Sequence, residues 1–345
     1  MFEPIVNSQA MTPNLKNCRR FLLSVGFLLF LGLILGAQAQ TCYTGTEIDA
    51  ATAKSLEAAA QQYLNMSAQG DVAGLRANAI PQVTGNFGAI ERAVVTNKQF
   101  FAQGQPSSTQ TFVLDASDSK TTMQRADFFC GIYNSPERVV FSIPNLPPGR
   151  YAVSIAKITG KEPITLTVIL QDTGKNSWKL AGYYARLNSI GGHDGQWYLS
   201  KAREYKGKGQ LHNAWFYYLT AWDLIAPVNF MSTPQLDKLA DEIQAARPGD
   251  LPGASAPIEL PAKGKTFKIT DVAPVPAGSD LDLRVQYESV DAADPTLASQ
   301  DNAAVMKALL ARYPELRGAF NLLIARATDS LGHDYETLTP MKDVK

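Results

Sequence analysis

The sequence predicts an α+β protein. Three observations carry this: apolar and alanine residues at helical spacing near the mature N-terminus, a run of short β-rich segments separated by turn residues, and a return to helical patterning before a second strand-rich region. Over 47–68, Ile48, Ala51, Leu56, Ala59, Ala60 and Tyr63 fall on one helical face, with Gln and Glu on the other. Segments 72–79 and 87–94 read as short helices divided by Pro81 and Gly85. Then 111–114, 126–133, 138–143, 151–158, 164–170 and 178–187 read as strands. Turns such as Asn134-Ser135-Pro136, Pro147-Pro148-Gly149 and Asp172-Thr173-Gly174-Lys175-Asn176 join them, and connections this short predict an antiparallel meander.

The first forty residues precede this pattern and have their own logic. Lys16 and Arg19-Arg20 lead into an apolar run at 21–35, followed by the small-residue exit Gly36-Ala37-Gln38-Ala39. That order is a secretory signal peptide, here 1–39, with cleavage expected after Ala39 and with Met11 as an alternative start. The apolar run falls short of the roughly 20 residues a membrane span needs, which favours cleavage over an uncleaved anchor. The expected product is periplasmic or secreted, the alternative being a protein held in the membrane by its N-terminus.

Acidic and basic residues balance at 32 each, so no basic field is available for phosphate backbones and nucleic acid is excluded as an expected partner. Cys18 leaves with the signal, and the mature chain keeps Cys42 and Cys130 in a compartment that permits disulfides. Whether the two pair is open at the level of sequence, because pairing requires their Cα atoms within about 7 Å.

Helices followed by a curved antiparallel sheet, closing on Ser177-Trp178-Lys179-Leu180-Ala181-Gly182-Tyr183-Tyr184, resemble the nuclear-transport-factor-like or ketosteroid-isomerase-like (SnoaL-like) cone over 47–188. The resemblance implies a conical pocket that some members use for catalysis and many use only for binding. No position matches the family's acid or base closely enough to inherit its role. Within 191–247, Ala202, Tyr205, Gly209, Ala214, Tyr218 and Ala221 resemble a single tetratricopeptide-type hairpin, with Lys201 in place of the usual leucine. A lone repeat cannot bury its own face and must pack on a neighbour, most simply the cone. The segment 248–264, rich in Pro, Gly and Ala, reads as a linker. The last domain, 265–345, reads as a ββαββ-type module with strands at 267–272, 281–287, 319–328 and 335–341 around a helix at 301–313. The division is thus 1–39, 40–190, 191–247, 248–264 and 265–345.

Chemistry-bearing motifs are sparse. Gly264-Lys265-Thr266 ends like a P-loop, but Glu259 stands where that motif needs glycine. His193, His212 and His333 lie on separate elements without metal-ligand spacing, so no metal and no cofactor is expected. Asp127, beside Phe128-Phe129, and His193 are the weak candidates for acid or base work. The densest aromatic group offers Trp197, Trp215, Tyr218 and Trp222 as an anchoring face, set against ordinary core packing between hairpin and cone. The expectation is a non-catalytic binding or scaffold protein of the cell envelope, partnered by an envelope protein or a small apolar ligand. The alternatives are a pocket enzyme of ketosteroid-isomerase type and a structural protein held by an uncleaved anchor.

Overall fold

The computed structural model describes residues 40–131, 136–253, 256–277 and 280–345, so the signal segment lies outside the described residues. The protein is mixed α+β, with several antiparallel sheets and no barrel. Among the described residues no helix is long and apolar enough to cross a membrane.

Strand β1 (Thr41–Thr44) precedes helix α1 (Ala50–Gln69), which the Asp49 carboxylate opens by accepting from the Thr52 amide and Gly70 closes in the left-handed region. Short helices α2 (Val72–Ala77) and α3 (Pro81–Thr84) lead to α4 (Gly88–Gln103). Strands β2 (Gln105–Asp115), β3 (Met123–Cys130), β4 (Val139–Leu146), β5 (Arg150–Thr159), β6 (Ile164–Asp172) and β7 (Trp178–Leu187) follow. They do not form one sheet. Five strands pair in the order β1-β2-β5-β6-β7, while β3 and β4 join a separate small sheet with β10 (Met231–Ser232).

The split has a simple physical origin. β2 pairs with β5 and β3 with β4, so the four segments are one long antiparallel ribbon that folds over where Ala116 and Gly149 exchange backbone hydrogen bonds. Its distal half then covers the sheet that its proximal half belongs to. On one face of the large sheet, Tyr183 donates to the Ser67 hydroxyl and the Trp178 indole donates to Ser55, which places α1 there. On the other face Phe112 meets Phe141 at 5.0 Å, and Phe230 bridges Phe141 and Tyr184. With layers on both sides, β6 is buried continuously from Ile164 to Leu170 and reads as an unbroken apolar and threonine run. Cys42 and Cys130 are disulfide-bonded, with Cα atoms 5.2 Å apart, and the bond ties β1 of the large sheet to β3 of the small one.

Beyond β7, the two-residue strands β8 (Ser189–Ile190) and β9 (His193–Asp194) pair and turn the chain into α5 (Gly195–Gly207). Helices α6 (Leu211–Ile225) and α7 (Pro234–Ala246) complete the helical unit. Arg203 of α5 grips Glu242 of α7 through two hydrogen bonds of 2.8 and 2.7 Å, and Tyr218 donates to the same carboxylate. The C-terminal sheet runs β11 (Ile258–Ala262), β12 (Lys265–Ala277), β13 (Asp280–Glu288), β14 (Leu322–Thr328), β15 (Asp334–Pro340), with α8 (Pro295–Arg312) as the crossover between the parallel pair β13 and β14.

The structure departs from two expectations. Part of the expected linker, Ile258–Ala262, is an edge strand paired with β12. The hairpin Lys263-Gly264 between them has both residues at positive φ, 48° and 75°, so the Gly264-Lys265-Thr266 triplet is a tight turn running into a strand. Secondly, the aromatic face of the helical hairpin packs mainly on the C-terminal module. Tyr217 donates to the Ala319 carbonyl at 2.7 Å, Asn213 to the Glu315 carbonyl at 2.8 Å, and Phe216 and Tyr217 both touch Phe320. The buried apolar residues accordingly form two cores, one within β1–β7 and their helices, the other shared by α5–α7 and the C-terminal domain.

Candidate functional site

A half-open cleft of about 320 Å³ lies where the two cores meet. Its floor is a single cross-strand row: Lys157 of β5 pairs with Thr165 of β6, which pairs with Arg186 of β7, and all three line the cleft. This row continues the face that carries Tyr184 and the Phe230 contact, one step beyond the aromatic cover. Asn188 lies beside it and accepts from the Thr165 hydroxyl at 3.0 Å. The facing wall is built from helix ends: Asp194, Gly195 and Gln196 where α5 begins, and Leu224 to Pro227 where α6 stops.

The charges on the floor differ in how they are satisfied. Arg186 donates to the Asn229 side-chain oxygen at 2.6 Å and stands 3.4 Å from Asp223. Burial lowers the Arg186 pKa, and the attraction of Asp223 and Tyr184 does not make up the difference. Asp223 stands against the cleft wall, where dehydration raises its carboxyl more than Arg186 lowers it; with 64% of its side chain accessible, water screens this effect. Tyr184 is pushed up to about 12 by burial. Lys157 is exposed, and its ammonium has no hydrogen-bond or ion-pair partner among the described residues. Asp194 is engaged: its carboxylate accepts from the Trp197 amide and caps α5. One row inward on the same face, the hydroxyl of Thr167 is fully buried without a partner.

The wall holds together through a close backbone approach. A Cβ on Gly195 would lie 2.4 Å from Ile225 Cγ1 and 3.2 Å from the Ala221 carbonyl. Gly195→Ala is therefore expected to push the start of α5 off the end of α6 and to destabilise the protein by about 1–3 kcal/mol, read from its thermal midpoint. An unchanged midpoint would show that Ile225 simply rotates aside.

The residues singled out from sequence lie elsewhere. Asp127 sits on the outer face of the small sheet, where Arg125 donates to it at 2.8 Å and Ser142 at 2.6 Å. His193 is exposed and stacks on Trp197, with ring centroids 3.8 Å apart and planes 6° from parallel. Trp197 and Trp222 are half-buried, whereas Trp215 and Tyr218 are buried in the second core. The structure brings none of these together at the cleft, although Trp197 begins one residue after Gln196 of its wall. Among the described residues no group of three or more His, Cys, Asp or Glu converges as a metal site.

His212 is held at the seam between α6 and the C-terminal module. Its Nδ1 is 2.6 Å from Glu315 Oε1 and its Nε2 is 2.9 Å from Asp250 Oδ1, so one ring joins α6, the segment before β11 and the turn after α8. Dehydration alone would raise the Asp250 carboxyl, but the His212 hydrogen bond and charge, with smaller contributions from a backbone hydrogen bond and Arg312, outweigh it and lower its pKa. A lowered folded-state value means that Asp250 adds stability above about pH 4, the ordinary carboxylate value, and loses it as pH falls through its folded pKa. His212→Leu should cost about 1–2 kcal/mol near neutral pH, a modest figure because Asp250 is 48% exposed, and should flatten that acid dependence in denaturant titrations. Equal acid sensitivity in both proteins would refute the assignment.

No protein-family model matches the chain, and no curated protein and no solved structure matches it.

Proposed function

We propose that the chain is an exported, non-catalytic binding protein of the cell envelope, and that the cleft floored by Lys157, Thr165 and Arg186 is where it holds its ligand. In this reading 40–190 is a cone-like domain whose interior is closed by its own folded-over ribbon, and 265–345 is a ββαββ-type module extended by β11. The observation that carries the proposal is the cleft itself. It is the place where buried apolar layers give way to a polar floor, at a junction between modules, which is where small-molecule sites commonly form.

Several features support binding over catalysis. The space beside the large sheet is filled by Phe112, Phe141, Phe230 and Tyr184. The acid and the histidine proposed from sequence are engaged, Asp127 in an ion pair with Arg125 and His193 in ring stacking on Trp197. The Cys42–Cys130 bond is consistent with an oxidising, exported compartment.

Native mass spectrometry of the protein recovered from the exported fraction of its own cells, compared with the denatured mass, tests the reading. A small molecule retained by the native protein is expected, and a bare polypeptide mass at every stage of purification would count against it. N-terminal sequencing of the same sample should begin at Gln40; an intact signal segment would favour the anchored structural alternative.

A further inference from the structure

Resting on the reading of the cleft as the ligand site, we infer that it takes a small organic acid, its carboxylate on the Lys157–Arg186 row and its apolar body against the end of α6. The two walls differ in chemistry in a way that fits one molecule with two ends. The floor presents a guanidinium with donors left over after Asn229 and Asp223, and an ammonium with no partner among the described residues. Lys157 and Arg186 flank Thr165 in the row, and a guanidinium and an ammonium on long side chains are the donor types that recognise a carboxylate. Asp194 keeps its negative charge while it caps α5 through the Trp197 amide, and Asp223 faces Arg186, so Lys157 is the cation of the row left without an ion-pair partner among the described residues.

The opposite wall, Leu224 to Pro227, has no charge to offer and would receive hydrocarbon. The volume, about 320 Å³, suits a compact ligand at the lower end of the usual range for small-molecule pockets.

Titration calorimetry of the mature chain at low ionic strength, with phenylacetate and hexanoate as probes, tests the inference. Saturable binding in roughly the millimolar range or tighter is expected for both. Hexanamide, which has the same body without the charge, and inorganic phosphate, which has charge without the body, should bind at least about tenfold more weakly. Lys157→Gln, on an exposed side chain that the fold does not use, should weaken hexanoate about tenfold, and Arg186→Gln should do the same or more. Lys201→Gln, outside the cleft, should leave binding unchanged and reports on non-specific charge effects.

The inference is overturned if hexanoate and hexanamide bind alike, if phosphate binds as well as hexanoate, or if Lys157→Gln binds like the parent. It is also overturned if neither acid binds saturably to folded protein. These results separate it from the broader reading: a neutral molecule retained in native mass spectrometry, unaffected by Lys157→Gln, would keep the binding function and remove the organic acid.

Discussion

Breaking the Cys42–Cys130 bond, by reductant or by the double serine variant, should lower the stability of the N-terminal core by about 3–4 kcal/mol. The bond closes a loop with 88 residues of sequence separation, and loops of that order give about 4 kcal/mol in the chain-entropy picture. What it holds is specific. β1 is only four residues long and sits at the edge of the large sheet, and the ribbon's distal half reaches it through Cys130 at the end of β3. Without the bond, β1 and the fold-over of the ribbon depend on the packing of Phe128, Phe141 and their neighbours.

Because the apolar residues divide into two cores and the bond lies wholly within the first, calorimetry should show one transition moving down on reduction, by on the order of 10 °C, while the other stays in place. A single transition that shifts as a whole would mean that the modules unfold together. No shift at all would mean that the layers hold without the bond.

The local elements were legible in the sequence for physical reasons, and the way they assemble was not. Helix α1 follows from alanine and leucine spacing between an Asp cap and Gly70, and the strands from β-branched and aromatic runs between turns. The folding of the ribbon onto its own sheet has no such signal. Pro147-Pro148-Gly149 marks a turn whether the next strand continues the sheet or doubles back over it. The decision lies in nonlocal contacts such as Phe112 with Phe141.

Ile258–Ala262 read as linker because Pro261 and its proline-rich flank mask an edge strand, a position that tolerates proline. The aromatic group of α6 is dense in the sequence, but density does not say which neighbour it faces, and it shares its core with the C-terminal module. The cleft was the least legible feature. Lys157, Thr165 and Arg186 have no common spacing and meet only through strand register, and threonine in a strand is ordinary β-former chemistry. His212 was missed for the same reason, since its partners Asp250 and Glu315 are 38 and 103 residues away.

The second large effect is expected at Gly104, where α4 ends and the chain enters β2. A Cβ there would lie 2.2 Å from Ile158 Cγ2, 2.9 Å from the Phe100 carbonyl and 3.0 Å from the Thr159 carbonyl. The methyl of a buried isoleucine could yield only into the core, and two of the three obstacles are backbone that cannot rotate away. Gly104→Ala should therefore cost about 2–4 kcal/mol. The site matters beyond its own clash because Ile158 and Thr159 follow Lys157 directly on β5, and the Gly104 approach sets where that strand end lies. If the end of β5 is displaced, Lys157 moves relative to Thr165 and Arg186. The variant should thus lose hexanoate affinity as well as stability, even under conditions where it remains folded. Gly195→Ala disturbs the opposite wall, so similar binding losses in the two variants would tie the row and the helix ends to one site. A Gly104→Ala protein that is destabilised yet binds with parental affinity would show that the Lys157 row is insensitive to the strand end and would uncouple the fold of β5 from the cleft.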